Sequence, residues 1–101
     1  MKILFICLLL TPAAAMSDTV LGYTLEYRGD FYSITVNDNG AILRSGKETI
    51  YMGKSCDVIT DKGEEGSWSW SNAGFSIELP DRVMAFGRTD APVKNGGRCG
   101  I

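Results

Sequence analysis

The sequence predicts an all-β fold: a small antiparallel barrel of about eight short strands with one disulfide, a β-sandwich being the alternative. Three observations carry this. Apolar and polar residues alternate in short runs, and no window sustains an apolar period of 3.6 residues. Gly, Asn, Asp and Pro punctuate those runs at roughly ten-residue intervals. An exported chain of this size with two cysteines left after leader removal also fits a small stapled β-domain. Closing the sheet favours the barrel, because it removes the exposed strand edges that invite aggregation.

The first element is a leader. Met1-Lys2 supplies a positive start, residues 3–10 (ILFICLLL) an apolar run too short to span a bilayer, and Thr11-Pro12-Ala13-Ala14-Ala15 a small-residue cleavage tail. Residues 1–15 therefore read as a signal peptide cut after Ala15, and residues 16–101 as one mature domain, periplasmic or secreted. Cys7 lies inside the apolar run, so it leaves with the leader and does not fit a lipid-carrying cysteine.

The strands follow in order. Leu21, Tyr23, Leu25 and Tyr27 share a face of the first, and Arg28-Gly29-Asp30 turns the chain. Tyr32, Ile34 and Val36 share a face of the second, and Asn37-Asp38-Asn39-Gly40 carries an Asn-Gly hairpin signal. The third strand is 41–44, the fourth 47–52 and the fifth 55–60. A polar loop, 61–66, precedes the sixth, 66–71, and the seventh, 75–79, which a Pro80-Asp81 turn joins to the eighth, 83–87. The stretch 89–101, rich in Gly, Pro and charge, is expected to cross the surface until Cys99 pins it to Cys56. Closing so long a loop restricts the unfolded chain by roughly 4 kcal/mol on the chain-entropy account.

With Lys2 gone, nine basic residues face twelve acidic ones, a net charge of about −3. That argues against nucleic acid and anionic membrane as partners, and it favours encounter with a cationic protein. The chain has no histidine, so a Ser-His or Cys-His pair is excluded, and the S-x-x-K pattern that would supply a lysine base is absent. The acidic cluster Asp57, Asp61, Glu64 and Glu65 could offer a carboxylate pair or a calcium site, but it lacks the alternating calcium-loop pattern. No cofactor or metal is expected, and no enzyme. Gly53-Lys54-Ser55 lacks the upstream glycine of a phosphate loop, and Arg28-Gly29-Asp30 is composed of ordinary turn residues.

The segment GSWSWS places Trp68 and Trp70 on one strand face and Ser67, Ser69 and Ser71 on the wet one. Trp70, nearer the hairpin that brings Phe75, Ile77 and Leu79 back across it, is expected in the core. Trp68, two residues from Gly66 and the polar loop, is expected half exposed at the rim and available to a partner.

The stretch 55–79, SCDVITDKGEEGSWSWSNAGFSIEL, resembles the central motif of the membrane-bound and periplasmic inhibitors of C-type lysozyme, small exported eight-stranded barrels. Ser55 matches the motif's serine, Gly63 or Gly66 its loop glycine, Trp68 and Trp70 its aromatic strand, and Gly74 the glycine of its Lys-Gly pair. The resemblance covers about a quarter of the chain. Ala73 stands where the family presents a lysine, and Cys56 is mid-chain where the family ties its first strand. The resemblance implies the barrel and export, with a lysozyme-type hydrolase as the class of target; the first function class is accordingly a non-catalytic, monomeric binder with contacts expected from Ser55, Asp57, Asp61, Glu64, Glu65, Trp68 and Asn72. The other function class is a small structural or accessory module with both tryptophans in its core and no inhibitory activity.

Overall fold

The computed structural model describes residues 18–71, 73–93 and 99. The leader expected at 1–15, and Asn72, lie outside these. Within them the alternating runs become eight strands: β1 (Thr19–Tyr27), β2 (Asp30–Asn37), β3 (Gly40–Arg44), β4 (Thr49–Gly53), β5 (Asp57–Thr60), β6 (Glu65–Ser71), β7 (Gly74–Leu79) and β8 (Arg82–Phe86). Each pairs antiparallel with the next, in the order β1 to β8, so the sheet is an up-and-down meander curled into a half-barrel. β8 comes round to β1, where the rings of Tyr27 and Phe86 lie 6.3 Å apart and the Tyr27 hydroxyl donates to the Val83 carbonyl at 3.4 Å. No ladder joins these two strands among the described residues.

The core is the inward half of the alternation. Tyr32, Ile34 and Val36 of β2, Ala41 and Leu43 of β3, Ile50 and Met52 of β4, Val58 of β5, Phe75, Ile77 and Leu79 of β7, and Met84 and Phe86 of β8 are all buried. β1 is the exception to its strict alternation. Its register slips between Val20 and Thr24, so Leu25 stays buried while Tyr23, expected on the same face, is exposed.

Turn chemistry sets the strand ends. Arg28 and Gly29 both have positive φ, 52° and 86°, as a two-residue hairpin that follows the strand twist requires. Asp38 and Asn39 form the tip of the next hairpin, with Asn37 facing Gly40 across it. Gly40 belongs to β3, and a Cβ there would stand 1.9 Å from the Met52 carbonyl oxygen, so the glycine answers a close strand approach. The fifth strand is shorter than expected because Cys56, at φ 70°, turns the chain out of the ladder before Asp57.

That turn is where the disulfide sits. Cys56 and Cys99, 43 residues apart in sequence, are bonded with their Cα atoms 5.5 Å apart. The Cys56 carbonyl accepts from Trp68 N at 3.0 Å, and the Cys99 carbonyl accepts from Trp70 N at 3.1 Å. Cys99 therefore supplies the rung that β5 leaves unfilled beside β6. Ala91 and Val93 of the tail are also buried against the core, so this stretch is more than a clipped surface strap.

Candidate functional site

The tryptophan pair reverses the expected order. Trp68 is buried, at 1% exposure, and Trp70 is half-buried at the rim. Both point inward, with their rings 5.8 Å apart edge to face. What decides between them is the neighbouring strand on the β5 side, which the β6–β7 hairpin does not reveal. Trp68 is flanked there by Cys56 and β5, and its indole Nε1 reaches under them to donate to the Gly53 carbonyl at 2.8 Å. Trp70 lies beyond the point where β5 stops, and there its backbone N–H meets the Cys99 carbonyl instead. Trp68 is thus removed from the set of surface contacts, since no partner can reach it in the folded state.

The acidic cluster is likewise taken apart by the fold. Gly63, at φ 86°, turns the 61–64 loop tightly on Thr60, whose hydroxyl accepts from Lys62 N and Glu64 N and donates to Glu64 Oε1. Glu64 thereby folds inward, and Arg82 Nη2 contacts it at 3.3 Å while donating to Glu48 Oε1 at 2.7 Å. The other Glu48 oxygen accepts from the Tyr32 hydroxyl at 2.7 Å. Tyr32, Glu48, Thr60, Glu64 and Arg82 close this end of the barrel as one hydrogen-bonded plug. Burial, then the Glu48 carboxylate, hold the Tyr32 phenol well above its ordinary pKa. Burial works against the Arg82 charge, but Glu48 chiefly, with Glu64 and Asp81, outweighs it and raises its pKa. Glu48 and Arg82 sit at the inward parity of Ile50, Met52, Met84 and Phe86. That spacing was the available signal for the plug, which sequence reasoning missed.

Asp61 and Glu65 remain exposed at this end. Ser55 and Asp57 are exposed at the opposite end, where β4 turns into β5. The expected contact residues therefore do not form one patch, and no grouping of acidic or cysteine side chains suited to a metal occurs among the described residues.

A different surface does come together. On the outer face Thr35, Ile42, Tyr51 and Ile59 are register partners in one row across β2 to β5. Tyr51 is 42% and Ile59 44% exposed. The adjacent row, toward the disulfide end, is Asn37, Gly40 and Gly53, where two positions lack side chains. The result is an open trough of about 300 Å³, walled by Ile42, Tyr51 and Ile59, and edged by Asn37, Asn39 and Asp57. A Cβ on Gly53 would come within 2.2 Å of Asp57 Oδ1, so the carboxylate lies against the glycine floor. Gly53 is also the residue whose carbonyl Trp68 holds from inside. Among the described residues, Asp57 is thus the one expected contact residue that the fold places in a shaped surface.

No protein family model, characterised protein or solved structure matches this chain.

Proposed function

We propose that this chain is an exported, non-catalytic protein-binding module whose target is a cationic cell-wall hydrolase of the lysozyme type. The observation that carries the reading is the outer row of Ile42, Tyr51 and Ile59 beside the Asp57 carboxylate. Exposed aromatic and aliphatic side chains in register, on a rigid sheet and edged by polar groups, are the composition of a protein contact centre. The acidic balance of the chain favours encounter with a basic protein. The resemblance of 55–79 to the lysozyme inhibitors supports the class of target, with contacts shifted from the missing lysine position at Ala73 to the β3–β5 face. The absence of histidine supports a role without catalysis.

Lysis assays against a panel of lysozyme types, paired with calorimetric binding, test this. The expected result is stoichiometric inhibition of at least one cationic lysozyme, weakened by Tyr51→Ala. Failure of the folded protein to bind any member of the panel overturns the hydrolase reading. The burial of Trp68 favours the second reading, an accessory module without inhibitory activity, to that extent.

A further inference from the structure

We propose that the trough between Tyr51 and Asp57 is a receptor for a single arginine side chain displayed by a protein partner, an inference that rests on the protein-binding reading and names its central contact. The trough has three chemically distinct parts. Its floor is backbone, because Gly40 and Gly53 stand side by side in the β3–β4 ladder. Its inner wall is the Ile42, Tyr51 and Ile59 row, with Tyr51 in the middle. Its outer edge is the Asp57 carboxylate with the Asn37 and Asn39 amides.

An arginine matches all three. Its methylenes cover apolar surface while the head stays polar. Its planar guanidinium stacks on an aromatic face and binds a carboxylate through two parallel hydrogen bonds. Asp57 makes no ion pair with any lysine or arginine among the described residues, whereas Asp30 pairs with Lys47, and Glu48, Glu64 and Asp81 with Arg82. The Asn37 side-chain oxygen is already occupied by Asn39 N at 2.8 Å, which fixes that corner of the rim and leaves the carboxylate as its charged acceptor. At about 300 Å³ the trough has room for one long side chain and is open at the top, as a contact from another protein requires.

Gly53 gives a specific handle on this arrangement. The three heavy atoms a methyl there would meet first all belong to the Asp57 carboxylate, a side-chain end that can swing away, so Gly53→Ala displaces the charge.

The experiment is a two-dimensional NMR titration of the folded protein with acetyl-Gly-Arg-Gly-amide, its citrulline counterpart and its lysine counterpart. The arginine peptide is expected to shift the Tyr51, Gly53 and Ile59 signals saturably, and the citrulline peptide to leave them in place. Asp57→Asn and Gly53→Ala are each expected to weaken the arginine peptide by about tenfold with signal dispersion retained. Equal response to citrulline, equal response to lysine, indifference to Asp57→Asn, or no shift at all overturns the proposal. Binding of the lysozyme panel is measured on the same variants. Hydrolase binding untouched by Asp57→Asn sinks the arginine receptor and leaves the module's function standing, while arginine recognition without hydrolase binding sinks the functional reading alone.

Discussion

The two ends of the barrel are closed by opposite chemistry. Where β7 turns into β8, the inward positions hold Tyr32, Glu48, Thr60, Glu64 and Arg82, joined by hydrogen bonds and ion pairs. Where β6 turns into β7, they hold Trp68 and Trp70, with the Cys56 and Cys99 carbonyls of the disulfide accepting from their backbone N–H groups. The comparison teaches what each closure does. The apolar end gains stability from area removed from water, and the ionic end gains little net energy but fixes the register of the strands it joins, β2, β5 and β8, by making any slip leave a charge unpaired. The Asp57 trough lies at the tryptophan end, tied to it through the Trp68–Gly53 hydrogen bond.

The largest expected effect is at the apolar end. Trp68→Ala should cost about 3 to 5 kcal/mol as a full core truncation, while Trp70→Ala should cost clearly less, about 1 to 2 kcal/mol, because its ring is half covered. Urea unfolding of both variants reads this, and equal losses would mean that Trp70 is as much part of the core as Trp68. The double variant Cys56→Ser/Cys99→Ser should cost roughly 2 to 4 kcal/mol with the sheet signal in circular dichroism retained, since seven ladders do not depend on it. Complete loss of that signal would make the bridge a requirement of the fold.

The ionic end should break differently. Glu48→Ala should cost about 2 to 3 kcal/mol by removing the nearest carboxylate from Arg82 and the acceptor of the Tyr32 hydroxyl, with Glu64, Asp81 and water offsetting part of the loss. Adding Arg82→Met should then recover stability rather than lose more, and an additive loss would show that the pair acts by packing alone. The smallest effect is at Tyr32. Tyr32→Phe should cost about 1 kcal/mol at neutral pH, by leaving one Glu48 oxygen without its donor. Because the folded protein holds this phenol neutral above its ordinary pKa, its contribution is intact below about pH 10 and is lost as pH climbs past that value. Stability curves against pH should fall more steeply in the parent than in Tyr32→Phe.

The strands were legible in the sequence because each is a local pattern. Tyr32, Ile34 and Val36 announce β2 whatever surrounds them, and the paired cysteines announce their bond. The burial of Trp68 was not legible from its own hairpin, since Trp68 and Trp70 have equivalent β7 partners, Ile77 and Phe75. The difference lies on the other side, in the early end of β5 at Cys56 and in the reach to Gly53, which only three-dimensional closure brings together. The acidic loop misled for a related reason. Four carboxylates near one another in sequence are sent by strand parity to the two ends and to the inside and outside of the sheet. The trough escaped notice because it is made partly of missing side chains, at Gly40 and Gly53, in strands that are apart until they pair.

The rung that Cys99 supplies beside β6 bears on the order in which this chain can acquire its structure. Every ladder of the barrel joins neighbours in sequence, so each hairpin can form as soon as its second strand emerges from a ribosome or an export pore. The Trp70–Cys99 bond is different, because its acceptor arrives well after β8 has been delivered. A chain emerging amino end first would wait with this one rung beside β6 still unmade on an otherwise paired sheet. Oxidation of the two thiols then records completion, since the Cys56–Cys99 bond can form only after the last of these pieces has come through.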